Sequence, residues 1–349
     1  MSIRNRKGII KMTSKQLVAD TLEFCHTGRV PRQMWVLNWA KLNYPQQLAA
    51  ISGEFPDDIV SPPVLCREAS KVKRGNKFAA GSYTDEWGCT FLNVQNGIAG
   101  EMKEPQVCGE EWEDWENVHI PDENLTLDVE EINRFCRQNR DKYLLSGCFP
   151  RPFERLQFIR GTENLYMDLM FPPDAMISFM KKMHEHYCNE LEIWAKTDVD
   201  GLQIMDDWGA QNNLLINPSI WRELFKPMYK EYAQIAHRHG KKLFMHSDGN
   251  ILKIIPDLIE IGVDALNSQI FCMGVENLKP FKGKITFWGE IDRQNILPSP
   301  HIGMTRQAVD EIYGALYSKG GCIAQCEFGP GARPENVYEV FHRWNERSG

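Results

Sequence analysis

Along the second half of the chain the hydrophobic positions switch between two periods. Short apolar runs alternate with stretches in which apolar residues recur every three or four positions. Residues 201–206 (GLQIMD) read as a strand that ends in acids. Asn217-Pro218 then reads as an N-cap followed by proline at the first helical position. Trp221, Leu224, Phe225, Met228, Tyr232, Ile235 and Ala236 carry the helical face as far as Gly240. The pattern recurs with a strand at 241–246 (KKLFMH) and a helix marked by Ile251, Leu252, Ile255, Leu258 and Ile259, ended by Gly262. Strands follow at 263–267 (VDALN) and 284–289 (KITFWG). Thr305 caps a helix carrying Ala308, Val309, Ile312, Tyr313 and Leu316. The last strand is 321–326 (GCIAQC), and a closing helix starts at Pro334 with Val337, Val340, Phe341 and Trp344. Strands of this length between amphipathic helices predict parallel pairing with helical crossovers.

The first half fits the rhythm less cleanly. MWVLN (34–38) and KYLLSG (142–147) are strands, and helices are predicted near 15–28, 124–138 and 174–195. This makes seven strands, with the eighth unplaced. Residues 44–121 break the alternation, hold the hairpin signal Asn96-Gly97, and add Trp87, Trp112 and Trp115. They read as a long insertion after the first strand, lying over one barrel end as a substrate wall. The fold class expected is a single α/β domain over 1–349, a (β/α)8 TIM barrel with that insertion.

Composition agrees with a soluble chain with a sizeable core: 349 residues, 42% hydrophobic and 25% charged. A net charge of −7 and an acidic pI argue against nucleic acid and an anionic membrane surface. No apolar run approaches the roughly 18 residues of a membrane helix, and MSIRNRKGIIKM leads into no secretory signal. Ten scattered cysteines suggest a reducing compartment and mostly buried thiols, so the expected location is cytoplasmic. There is no GxGxxG and no phosphate-loop pattern.

The candidate chemistry lies at the strand ends. These deliver Asp206 and Asp207, then His246 and Asp248, Asn267 and Gln269, Glu290 and Asp292, and Cys326 and Glu327. In a parallel barrel all of them open on one face. One such terminus is commonly a helix cap, whereas five in succession indicate a shared site. His246 and Asp248 point the same way on an extended chain, with α-carbons about 6.6 Å apart. Cys326 from the last strand could add a third ligand, giving one imidazole, one thiolate and one oxygen with an open position, as in a catalytic zinc shell. Cys322 lies roughly 13 Å further down the same strand and reads as core.

The stretches MDDWGAQNNLLINPSIWRELFKPMYKEYAQIAHRHGKKLFMHSDGNI, EIGVDALNSQ, ITFWGEIDRQNILP and CEFGPGARPENV resemble the uroporphyrinogen decarboxylase superfamily, in its corrinoid-dependent methyltransferase-like branch. The resemblance covers about 200–342 well, and GRVPRQMW (28–35) looks like the family's opening segment. It implies a TIM barrel and a zinc held by a His-x-Cys pair and a later Cys. His246 and Cys326 match that pattern, but Asp248 stands where the first Cys is expected. A carboxylate there makes the metal harder, so an ether or alcohol oxygen becomes a plausible substrate atom. The resemblance further implies a corrinoid (cobalamin) protein as partner, a small-molecule methyl donor or acceptor, and room for a homodimer. Asp206, Asp207 and Glu290 are then the expected catalytic groups, and Asn267, Gln269, Asp292 and Trp208 the substrate-binding ones. An aromatic methyl ether is a candidate donor, its ring packed by tryptophans of the insertion. The first alternative is a metal-free decarboxylase acting on a cyclic tetrapyrrole or a smaller acid. Only Arg29 and Arg32 offer its basic motif, and the acidic face opposes it. The second is a barrel that binds a corrinoid or tetrapyrrole partner without turnover.

Overall fold

Eight short parallel strands position the site in the computed structural model, which describes residues 12–25, 28–98, 100–147 and 150–348, together with the backbone of a hairpin pairing Ile3–Asn5 with Gly8–Ile10. In chain order the eight are β1 (Arg32–Val36), β2 (Ile59–Val60), β3 (Tyr143–Leu144), β4 (Gly201–Met205), β5 (Lys242–Ser247), β6 (Ala265–Ser268), β7 (Thr286–Trp288) and β8 (Cys322–Phe328). Six of them form one curled parallel sheet in the order β1-β8-β7-β6-β5-β4. The other two, β2 and β3, pair with each other in parallel. This pair is hydrogen-bonded to both margins of the larger sheet. Ser146 N–H donates to the Gly201 carbonyl at 3.0 Å, and Asp58 N–H donates to the Arg32 carbonyl at 2.9 Å. The arrangement is compatible with a TIM-barrel-like fold.

The strand missing from the sequence reading is therefore Ile59–Val60, which lies inside the segment assigned to the insertion. The same segment holds a helix, Pro45–Glu54, before that strand. The break in rhythm falls after β2 rather than after β1. It contains a three-stranded antiparallel sheet, Gly81–Thr84, Thr90–Asn93 and Glu101–Met102. Asn96-Gly97 lies in the connection between the second and third of these, where Gly97 takes the positive φ of 86° that the turn requires.

Most helices fall where the periodicity predicts. The Asn217 side chain accepts from Ser219 N–H, as an N-cap should. Pro227 interrupts the helix that follows, and the backbone widens into a π-type turn at Trp221–Phe225 before Lys226–Arg238 continues it. Gly262 closes Ile255–Ile261 in the left-handed region. Thr305 does not cap its helix: Ile302–Leu316 begins earlier, at the N-cap His301, and Thr305 is buried within it. Ser14–Leu22 accounts for the first predicted helix, whose tail at residues 26–27 lies outside the described residues.

Side chains alternate across the strands and define two apolar layers. Ile59, Tyr143, Leu145, Phe244, Ala265, Trp288 and Ile323 meet inside, with Val18 and Leu22 of the first helix beneath them. Met34, Leu202, Met245, Leu266, Phe287, Ala324, Cys326 and Phe328 belong to the larger layer under the outer helices. This parity decides which strand-end residues can share a site.

Candidate active site

His246 is an inward residue near the end of β5 and is 5% exposed. Its Nδ1 lies 2.6 Å from Asn267 Oδ1. The Asn267 amide nitrogen donates to the Trp288 carbonyl, which only an N–H can do, so the oxygen faces the ring. Nδ1 therefore carries a proton, and Nε2 is the nitrogen that can offer a lone pair to an ion. Nε2 points at two carboxylates, 3.5 Å from Asp207 Oδ1 and 3.6 Å from Asp248 Oδ1. One donor atom from each of Asp207, His246 and Asp248 lies within 4.8 Å of the others, enough to hold one ion. The ring of Trp35 packs beside the imidazole, centroids 5.1 Å apart.

The loops that bring these groups together touch directly. Asp248 N–H donates to Asp207 Oδ1 at 2.9 Å, and Gly209 N–H donates to the Asp248 carbonyl at 3.0 Å. A Cβ on Gly249 would lie 2.0 Å from the Gly209 carbonyl oxygen, so glycine is required there by space as well as by its φ of +74°. Gln269 Oε1 accepts from Gly249 N–H at 3.2 Å and steadies the same loop.

A second ring of charge surrounds the cluster. Arg293 donates to Asp248 Oδ2, and its other terminal nitrogen lies 3.7 Å from Glu290 and 3.5 Å from Glu327. Burial pushes the Glu290 carboxyl up to about 8 against the pull of Arg293, so it is protonated near neutrality. Burial also raises Glu327. The carboxylates outnumber the single guanidinium, so the face favours a cation.

A cavity of about 1030 Å³, lined by none of the cluster residues, is walled by Tyr83, Trp87 and Phe91 from the segment after β2 and by Phe158 and Tyr187 from the helical side. Arg151 and Glu154 line it too, and they link it to the cluster. Arg151 lies against Met205 at the end of β4, and the Glu154 carboxyl, raised by burial, feels both Asp207 and His246. Of the three tryptophans expected to pack a substrate ring, only Trp87 lines the cavity. Trp112 is buried and donates to Asp168, while Trp115 packs on Phe179 beneath Lys182.

The structure thus gathers Asp207, His246 and Asp248, with Asn267 and Gln269 behind them and Glu290 alongside. It does not gather the rest. Cys326 is fully buried in the outer layer, paired in register with Met34, whereas its neighbour Glu327 pairs with Trp35 and faces inward. The expected imidazole–thiolate pair is not assembled, because one residue along a strand reverses the face. Asp206 is also fully buried. Its oxygens accept from Phe153 N–H, Glu154 N–H and the Tyr229 hydroxyl, so it anchors the helix Pro152–Arg160 rather than meeting the cavity. Trp208 stacks on Phe153 at 4.2 Å and donates to Tyr229, a core role instead of the expected substrate contact. Asp292 accepts from Gln294 and Asn295 N–H and shapes its own turn. Cys322 is buried, as the spacing predicted. Arg293 was missed, although four acids meeting at the strand ends imply a nearby counter-cation. Glu154 and Trp35 gave no signal, since an unremarkable helix and strand carry them.

The family model described as uroporphyrinogen decarboxylase (URO-D) matches residues 87–346. Among solved structures, a methyltransferase from Methanosarcina mazei superposes with a TM-score of 0.70 at 15% identity, over 97% of this chain and 100% of that one. A B12-independent methionine synthase from Shewanella sp. W3-18-1 reaches a TM-score of 0.47 at 10% identity, over 94% and 97% of the two chains. No curated protein matches the chain. Among the described residues no helix is long and apolar enough to cross a membrane.

Proposed function

Because the chain belongs to the uroporphyrinogen decarboxylase (URO-D) family, we propose that Asp207, His246 and Asp248 hold one divalent ion, zinc in this reading, in an enzyme that moves a methyl group between a small substrate and a corrinoid carried by a partner protein. The observation that carries the reading is the three-donor cluster at the carboxyl ends of the strands, where barrel enzymes keep their chemistry, with Arg151 and Glu154 between it and a large cavity. The likeness in fold to the Methanosarcina mazei methyltransferase over almost all of both chains supports it.

The donor set suits a cation. Asp248 Oδ1 is buried without a hydrogen-bond partner, and an ion would satisfy it. One imidazole and two carboxylates, with no thiolate, form a harder set than the one expected from Cys326, and zinc remains compatible with it. Bound there, the ion would serve as a Lewis acid on the heteroatom that bears the methyl group. Asn267 keeps the lone pair of His246 directed at the cluster. Arg293 holds Asp248 in place and balances Glu327. Glu290, whose carboxyl is raised by burial in the ion-free site, is the group placed to give a proton to a departing heteroatom. Tyr83, Phe91 and Phe158 would pack the ring of an aromatic methyl ether, and the charged residues that share the wall, among them Lys77, Glu86 and Arg151, would meet its polar substituents.

Arg293 also favours a second reading. A guanidinium among Asp248, Glu290 and Glu327 already neutralises part of the cluster, as a metal-free decarboxylase would need. Metal analysis of purified protein together with methyl transfer to free cob(I)alamin separates the two. The proposal predicts a bound ion whose loss in His246→Ala abolishes transfer. Carboxylate loss from a substrate by metal-free protein would overturn it.

A further inference from the structure

We infer that the helical shell carries a second metal site, formed by His184, Cys188 and Glu231, that takes a borderline-soft divalent ion of the zinc class. His184 and Cys188 are one turn apart on the helix Asp174–Ala195 and share a face. Glu231 reaches them from the neighbouring helix Lys226–Arg238. One ligand atom from each lies within 4.8 Å of the other two. None of the three lines the cavity described above, and the inference stands whether or not the methyl-transfer reading holds.

The donors lie close enough to form a metal shell once two side chains adjust. Cys188 Sγ is 3.6 Å from His184 Nε2 and 3.8 Å from Nδ1, so the thiol lies beside the ring and off the Nε2 axis. A tetrahedral zinc with ordinary bond lengths sets that sulfur–nitrogen edge at about 3.6 Å. His184 Nε2 is 2.8 Å from Glu231 Oε2, against an edge of about 3.3 Å in the same geometry. That edge opens by about half an ångström on an exposed glutamate that can move, and a turn of the Cys188 side chain brings the sulfur off the side of the ring. The other ring nitrogen faces the Tyr232 hydroxyl at 3.1 Å, the kind of outer partner that fixes the orientation of a ligating histidine. The His184 side chain is partly buried and that of Glu231 exposed, so an ion has both an approach from solvent and a fourth position for water.

Binding releases a proton. The thiol loses it, so affinity rises with pH, while the imidazole stays neutral with its N–H on Nδ1, facing the Tyr232 hydroxyl. Burial and Glu231 push the Cys188 thiol up to about 12, and a cation between the two groups relieves both effects. The ion would tie together two shell helices. The first of them supplies Tyr187 and Glu190 to the cavity wall, so loading would stiffen that wall.

The two sites differ in softness, which gives the test. Reduced, chelator-treated full-length protein is titrated with cobalt(II) and read in the near ultraviolet, where a sulfur-to-cobalt charge-transfer band reports thiolate ligation. The expected result is a band with the amplitude of one thiolate-bound cobalt per chain, kept in Cys326→Ser and in Asp248→Asn and lost in Cys188→Ser. Glu231→Gln, on the surface, should keep the band and weaken cobalt affinity by at least about tenfold, the lower end of the loss seen on removing even an outer-shell partner. Zinc should raise the melting temperature of the wild type more than that of Cys188→Ser, in which the cluster at the strand ends is intact. Should Cys188→Ser not fold, loss of the band in His184→Gln supports the same conclusion. No band in the wild type, or one that survives removal of Cys188 or His184, overturns it.

Discussion

At the scale of single residues the account rests on how His246 is held. Asn267 fixes its tautomer, and Trp288 fixes Asn267 in turn. Asn267→Ala should therefore weaken metal affinity about 10–100-fold without removing a ligand, as isothermal titration with zinc would show. A different histidine contributes to the loss of stability in acid. His186 is buried against Trp87, neither ring nitrogen has a hydrogen-bond partner, and burial lowers it to about 4. Its folded value lies below its unfolded one, so the unfolded chain binds more protons between them. That stability is complete above about 6.5 and is lost as pH falls through about 4. Over that range the wild type should lose on the order of 3 kcal/mol relative to His186→Phe, measured by denaturant unfolding at several pH values.

At the scale of elements, two strand-end loops meet through glycine. Gly249→Ala would drive a methyl into the Gly209 carbonyl at a left-handed φ, costing on the order of 1–3 kcal/mol and displacing Asp248. Gly53→Ala is the contrasting case: nothing lies within 4 Å of its Cβ position in the helix Pro45–Glu54, so it should stabilise by up to about 1 kcal/mol. Thermal melts of the two variants check the pair. The same scale explains what the sequence discloses. The strands from β4 onward were legible because an amphipathic helix follows most of them. Ile59–Val60 was not, since two residues carry no period. The last strand hides its parity for another reason. Cys322 to Phe328 is buried on both faces, so hydrophobicity cannot tell Cys326 from Glu327, and only the register against Met34 and Trp35 does.

At the scale of the whole molecule, the segment after β2 is bound to the outer helices and completes the cavity. Asp85, next to its antiparallel sheet, pairs at 2.6 Å with Arg155, and both side chains are buried. Asp85→Asn would leave a buried guanidinium unpaired and should cost about 3–5 kcal/mol, read by denaturant unfolding, while raising KM more than it lowers kcat. The carboxyl-end cluster was legible as a set of polar strand ends, and its membership was not. Asp206 and Cys326 look equivalent to their neighbours in sequence and differ only in the face they present. The central claim is that the ion sits on Asp207, His246 and Asp248 without sulfur. X-ray absorption at the zinc edge of zinc-loaded Cys188→Ser protein measures this directly. The account predicts nitrogen and oxygen neighbours alone, at about 2.0–2.2 Å. A sulfur shell at about 2.3 Å that disappears in the Cys188→Ser, Cys326→Ala double variant would contradict it.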